Sequence, residues 1–201
     1  MSTRPQTFLT PQEYLEIERK AEFRSEYHAG EVFAMAGATR AHNLINTNAV
    51  AELRDQLRHS PCEVYSKDMR VYIPAADLYT YPDIVVVCEK PHFADEEFDT
   101  LLNPVLLGEV LSPSTEVYDR TDKFEMYQTI PSLNEYLVLA ANRMHGDLFT
   151  RQPDGKWLLA PASRAEDFIE FSSIPCRLSL KDVYEKVEFG TEPPGMRRHS
   201  P

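Results

Sequence analysis

The sequence predicts an α/β fold of the mixed α+β kind: a central mixed β-sheet flanked by helices, with additional antiparallel strands. Two observations carry this. Residues 83–88 (Asp-Ile-Val-Val-Val-Cys) and 105–111 (Val-Leu-Leu-Gly-Glu-Val-Leu) are apolar at nearly every position, as strands covered on both faces are. The second run leads through a helix-period segment into another strand-like run at 135–141, a strand–helix–strand crossover that sets the strands within one sheet. Both lie in a chain of 201 residues, 42% hydrophobic and 26% charged, which is the size and composition of one ordinary domain able to bury its own core.

The first helix starts at Thr10-Pro11-Gln12-Glu13. Thr10 caps it, Pro11 takes the first helical position, Glu13 returns the hydrogen bond as a capping box, and Leu9 and Tyr14 form a hydrophobic staple. It is expected to run to about Phe23. Residues 26–35 carry Ala29-Gly30 between two β-prone stretches, a hairpin with Gly30 at positive φ. Leu44, Ile45, Leu53 and Leu57 keep helical spacing over 41–57, a second helix with His42 in its first turn. Strands follow at 63–66 and 69–73, and Lys67 and Arg70, beside Asp68, read as dressing an exposed strand face rather than leaning toward a pocket. The run 83–88 reads as the middle of the sheet.

Residues 91–103, with Asp95, Glu96, Glu97 and Asp99, read as a solvated acidic loop. Ser112-Pro113-Ser114-Thr115 ends the strand at 105–111, and Ser114 or Thr115 caps the helix that follows. That helix, 119–130, packs on the sheet through Phe124 and Tyr127. Antiparallel strands at 145–151, 156–160 and 169–171 and a last helix at 180–187, capped by Ser179, complete a single domain over 1–190. Residues 191–201 read as a disordered tail.

Thirty-two acidic against 21 basic residues give a net charge of −11. Nonspecific attraction to a polyanion is thereby disfavoured, so any nucleic-acid role rests on a local site or on metal ions that offset the charge. Cys62, Cys88 and Cys176 are odd in number and widely spaced, without zinc-ligand spacing, and read as reduced core thiols of a cytoplasmic protein. No apolar run approaches the roughly 18 residues that span a bilayer, and the first ten lack a signal-peptide pattern.

Two carboxylates stand at the ends of strongly hydrophobic strands: Asp83 after Pro82, and Glu109 inside Leu-Leu-Gly-Glu-Val-Leu. Burying a carboxylate costs several kcal/mol, on the order of the penalty for any unpaired ion, unless it is paired or bound to metal. If the strands are neighbours, Asp83 and Glu109 converge on one divalent cation, and the main-chain carbonyl of Val110 adds a ligand. Mg²⁺, with Mn²⁺ as its substitute, suits such an oxygen set because it takes few protein carboxylates and leaves room for water and phosphate. A metal nuclease also needs a cation near the attacking water. Leu111, which shares a face with Glu109, cannot supply it, whereas Lys123 on the next helix can reach the same pocket. Glu26 and His42 are further polar candidates to ligate metal or hold a water.

The order Glu26, His42, Tyr81-Pro82-Asp83, Glu109-Val110-Leu111-Ser112-Pro113-Ser114-Thr115, then Asp119, Lys123 and Tyr127 resembles a family of endonuclease-like proteins greatly expanded in cyanobacteria. That family lies within the PD-(D/E)xK restriction-endonuclease-like superfamily, and the match covers roughly residues 8–139. The resemblance implies a restriction-endonuclease-like core, Asp83 and Glu109 as metal carboxylates, Glu26 as a supporting acidic residue, and Lys123 in the lysine role. The superfamily pattern would put that lysine at position 111, so here it is displaced to the following helix. The implied activity is Mg²⁺-dependent hydrolysis of phosphodiester bonds in DNA, with a homodimer supplying two sites for two strands. Two alternatives remain: a binding or regulatory module on the same fold, motivated by Leu111 and the acidic surface, and a phosphoesterase acting on small nucleotides.

Overall fold

The computed structural model describes residues 8–35, 37–112 and 115–189. The tail at 191–201 and Ser114, a candidate cap, lie outside them. Helix α1 (Pro11–Glu18) starts as read: Thr10 and Glu13 form the reciprocal capping box with Pro11 in the first turn. It stops well before Phe23: Arg19 is its C-cap, with the side chain on Asp95 and Asp99, and Phe23 beyond it is exposed. Strands β1 (Ser25–His28) and β2 (Glu31–Ala34) form the expected hairpin. Both turn residues, Ala29 and Gly30, have positive φ, as a two-residue hairpin turn requires. Helix α2 (Arg40–Gln56), capped by the Thr39 side chain, matches the reading closely.

Strands β3 (Glu63–Ser66), β4 (Arg70–Ile73), β5 (Leu78–Thr80), β6 (Ile84–Val87), β7 (Thr100–Leu101) and β8 (Leu106–Leu111) follow. The predicted helix 119–130 is two short helices, α3 (Glu116–Arg120) and α4 (Asp122–Gln128). The break falls at Thr121, whose φ of −119° and ψ of −95° leave the helical region and whose hydroxyl donates to the Val117 carbonyl. Strands β9 (Glu135–Ala140), β10 (Gly146–Arg151), β11 (Trp157–Ala162), β12 (Phe168–Glu170) and β13 (Arg177–Ser179) complete the sheets. Helix α5 (Leu180–Val183) has the expected Ser179 cap but ends early, before Lys186 enters the left-handed region.

A six-stranded mixed sheet runs β11-β10-β9-β8-β6-β3, and a five-stranded sheet runs β2-β1-β5-β4-β7. The chain leaves β8, crosses through α3 and α4, and returns as β9 parallel to β8, so the crossover is where the sequence puts it. The middle of the sheet is β8 and β9; β6, the run at 83–88, is one place from the edge strand β3.

The alternation of side chains along these strands divides the core in two. One face (Ile84, Val86, Leu106, Val110, Leu137, Leu139) packs on Ile45, Ala49 and Leu53 of α2 and on Leu180 and Val183 of α5. The other (Val85, Val87, Leu107, Leu111, Val138) packs on Val71, Ile73 and Leu78 of the five-stranded sheet and on Phe124 and Tyr127 of α4. A tyrosine cluster, Tyr14, Tyr27 and Tyr79, seats α1 on the five-stranded sheet.

Three expectations are corrected. Cys62 and Cys88 are disulfide-bonded rather than reduced: the β3–β6 register pairs Glu63 with Val87, which sets the two cysteines opposite each other one step further out. Cys176 is free and buried. Arg70 does not dress an exposed face but is 2% exposed, donating to Asp99 at 2.6 Å and Thr100 at 2.9 Å. The acidic loop is therefore not merely solvated, since Asp99 and Asp95 also hold Arg19 at 2.8 and 2.7 Å. Among the described residues no helix is long and apolar enough to cross a membrane.

Candidate active site

Strands β6 and β8 are antiparallel neighbours with Ile84 opposite Gly108. One more step of that register sets Asp83 opposite Glu109, so the two sequence-selected carboxylates come from adjacent strands at the same level. Glu109 shares its side of the sheet with Leu107 and Leu111, the face covered by α4. There Lys123 brings its Nζ to 3.0 Å from Glu109 Oε1, and Tyr127, one helical turn on, donates its hydroxyl to the same oxygen at 2.7 Å. Leu111 stays in the apolar cluster beneath.

Glu26 enters from the other sheet. Its Oε1 accepts from Lys123 Nζ at 3.1 Å and from the Thr80 hydroxyl on β5. Asp119 lies 3.8 Å from the same ammonium. Lys123 thus sits buried among three carboxylates contributed by α3, β1 and β8. Burial alone would favour its neutral form, but Glu109, Glu26 and Asp119 outweigh that and hold its pKa well above the ordinary lysine value. The cost of burial falls on the acids. Desolvation pushes Glu109 and Asp119 up, with Lys123 opposing in both cases and Asp83 adding to the rise. Glu26 is also opposed by burial, but Lys123 and the Thr80 and Tyr81 hydrogen bonds bring it below its ordinary value.

His42 faces Asp83 from the other side of the sheet, Nε2 to Oδ1 at 2.9 Å, positioned by the Thr39 cap on its own N–H. The second oxygen of Asp83 accepts from the Val110 N–H at 2.9 Å. The N–H and C=O of one strand residue point to the same side, so the Val110 carbonyl is turned toward Asp83 as well. The residue that register sets opposite Val110 is Pro82, which has no N–H to give it.

The five sequence-selected side chains fall into two bonded groups, Glu26–Lys123–Glu109 and His42–Asp83, which meet where Asp83 accepts from the N–H of Val110, the residue after Glu109. Sequence reading missed the Thr80 bond, for which there was no local signal. It also assigned Tyr127 to packing alone, although its i, i+4 spacing from Lys123 marks the same helix face.

Among the described residues no group of three or more His, Cys, Asp and Glu side chains has the arrangement of a metal cluster. A magnesium site needs less: one or two carboxylates, with water and substrate filling the octahedron. Asp83, Glu109, whose Oε2 has no hydrogen bond among the described residues, and the Val110 carbonyl are hard oxygen donors of that kind.

A family model described as "Uma2: Putative restriction endonuclease" matches residues 11–181. Two proteins of Synechocystis sp. (strain ATCC 27184 / PCC 6803 / Kazusa) are similar. One, "Uncharacterized protein slr1290", is 33% identical over 181 residues, 90% of this chain and 94% of its own. The other, "Uncharacterized protein sll1609", is 36% identical over 164 residues, 82% of this chain and 93% of its own. The fold is shared with a "putative nuclease belonging to DUF820" from Anabaena variabilis ATCC 29413, at a TM-score of 0.70 and 18% identity over 88% of this chain and 98% of that one.

Proposed function

The chain belongs to the Uma2 family, and from that premise we propose that it is a Mg²⁺-dependent endonuclease hydrolysing phosphodiester bonds in DNA. The observation that carries the reading is the Lys123 ammonium 3.0 Å from Glu109, a carboxylate level with Asp83 on the adjacent strand. Asp83, Glu109 and the Val110 carbonyl would hold the metal, whose chemistry there is to lower the pKa of a bound water and offset charge on the phosphate. Mn²⁺ would substitute.

Lys123 supplies the fixed positive charge that Leu111 cannot. Three carboxylates keep it protonated, so it acts by orienting water and by stabilising charge on the scissile phosphate rather than as a base. Glu26 and the Tyr127 hydroxyl fix the position of that ammonium and of Glu109. His42 and the Val110 N–H together hold the two oxygens of Asp83 in place. A homodimer would present two such sites to the two strands of a duplex.

Nicking of supercoiled plasmid at low salt with Mg²⁺ or Mn²⁺, beside an identically prepared Asp83→Ala protein, tests the reading. Cleavage that needs the metal and is lost in the variant supports it. A silent wild type, or equal cutting by both proteins, removes it.

A further inference from the structure

Resting on that reading, we propose that Lys67, in the turn between β3 and β4, is a substrate-binding residue that contacts a backbone phosphate of the nucleic acid entering the site. The placement follows from register. Ser66 pairs with Ile84, so the next residue, Lys67, stands beside Asp83, and its N–H donates to the Asp83 carbonyl at 3.2 Å. Lys67, Asp83 and Glu109 thus lie abreast on three successive segments, about two strand spacings or roughly 10 Å from first to last.

The side chain is positioned without being neutralised. Lys67 Nζ donates to Asn43 Oδ1 at 2.6 Å, and Asn43 is itself tied to the start of α2 by donating to the Thr39 and Ala38 carbonyls. Asn43 directly follows His42, so the residue that steadies the Lys67 ammonium neighbours the one that steadies Asp83. The partner is a neutral amide. Among the described residues no carboxylate lies within ion-pair distance of Lys67, unlike Asp99 beside Arg70 and Glu109 beside Lys123. In a chain of net charge −11, a held but unneutralised ammonium beside the candidate metal carboxylates supplies the local attraction for phosphate that the molecule as a whole lacks. The backbone is also constrained there: Lys67 has φ of +37°, a region that a long side chain rarely adopts.

The test is binding of a fluorescein-labelled DNA duplex by fluorescence anisotropy across a salt series, with Ca²⁺ in place of Mg²⁺ so that binding is read apart from cleavage. Lys67→Gln removes the charge. Lys67→Gly removes it while relieving the left-handed backbone, which guards against loss of fold. Lys67→Arg keeps the charge. The expected result is roughly 3- to 10-fold weaker binding for the Gln and Gly proteins, with the slope of log K against log salt shallower by about 0.9, and wild-type slope for the Arg protein. Wild-type affinity and slope in the Gln and Gly proteins would overturn the role of Lys67 and leave the nuclease reading standing. A wild-type protein that neither binds duplex nor nicks plasmid overturns both.

Discussion

Lys123 Nζ lies 3.0 Å from Glu109 Oε1 and 3.1 Å from Glu26 Oε1, so one ammonium on α4 joins carboxylates from two different sheets. Removing it should therefore affect stability as well as chemistry. Lys123→Met, which keeps the bulk of the stem, should abolish plasmid nicking and lower stability by roughly 3 to 5 kcal/mol, the cost of leaving buried charge uncompensated. Plasmid nicking and chemical denaturation of the same preparation read both effects. Wild-type cleavage would remove Lys123 from the mechanism.

Asp83→Asn and Glu109→Gln should each abolish Mg²⁺ binding measured by calorimetry, since each exchanges an anionic ligand for a neutral one on a site with only two. Glu109→Gln is the cleaner probe. Its amide oxygen can still accept from Tyr127 and Lys123, so the local fold is retained while the charge is lost. Unchanged metal affinity in both variants would contradict the ligand assignment.

What was legible in the sequence was what is decided locally. The capping box at Thr10, the turn at Ala29-Gly30, the helical spacing of α2 and the nearly continuous apolar runs of β6 and β8 each depend on residues a few places apart. The candidate site was legible for a second reason: a carboxylate inside a buried strand is costly enough to demand a partner. What was hidden depended on register. The Cys62–Cys88 bond exists because β3 and β6 pair with Glu63 opposite Val87, which no spacing rule reveals. The burial of Arg70 depends on Asp99, 29 residues away, arriving through β7 beside β4. The short strands β5, β7 and β13 have too few residues to show a period.

Asp99 gives a pH signature distinct from the site. The Arg19 hydrogen bonds, with Thr100 and Arg70, outweigh partial burial and hold its carboxyl well below the usual carboxylate range. A depressed folded pKa stabilises above the unfolded value and is lost as pH falls toward the folded one. Asp99→Asn should therefore cost roughly 1 to 3 kcal/mol at neutral pH, and the difference from wild type should shrink progressively below about pH 4. Urea denaturation at a series of pH values reads this, and a pH-independent difference would contradict the linkage.

The disulfide closes a loop between positions 26 residues apart. By chain entropy a loop of that length is worth about 3.5 kcal/mol, acting on the unfolded state. Reduction, or Cys88→Ser, should lower stability by about that amount without disturbing the Mg²⁺ affinity, because the bond lies beyond Val87, at the opposite end of β6 from Asp83. Denaturation with and without reductant, followed by metal titration of the reduced protein, separates the two effects.

Tyr127 distinguishes packing from site construction. Its ring is fully buried against Tyr136, and its hydroxyl donates to Glu109 Oε1 at 2.7 Å. Tyr127→Phe keeps the ring and removes only the donor. If the residue merely packs α4 on the sheet, the variant should match wild type in stability and in cleavage. If the hydroxyl helps hold Glu109 ionised, two changes should appear together: a loss of roughly 1.5 to 3 kcal/mol, the worth of a hydrogen bond to a charged group, and a weaker Mg²⁺ affinity. The second follows because Tyr127 is one of the groups opposing the upward push of burial on Glu109, and a carboxyl that is harder to ionise is a poorer ligand. Raising the pH should then restore metal binding in the variant, an effect that a purely structural defect would not produce.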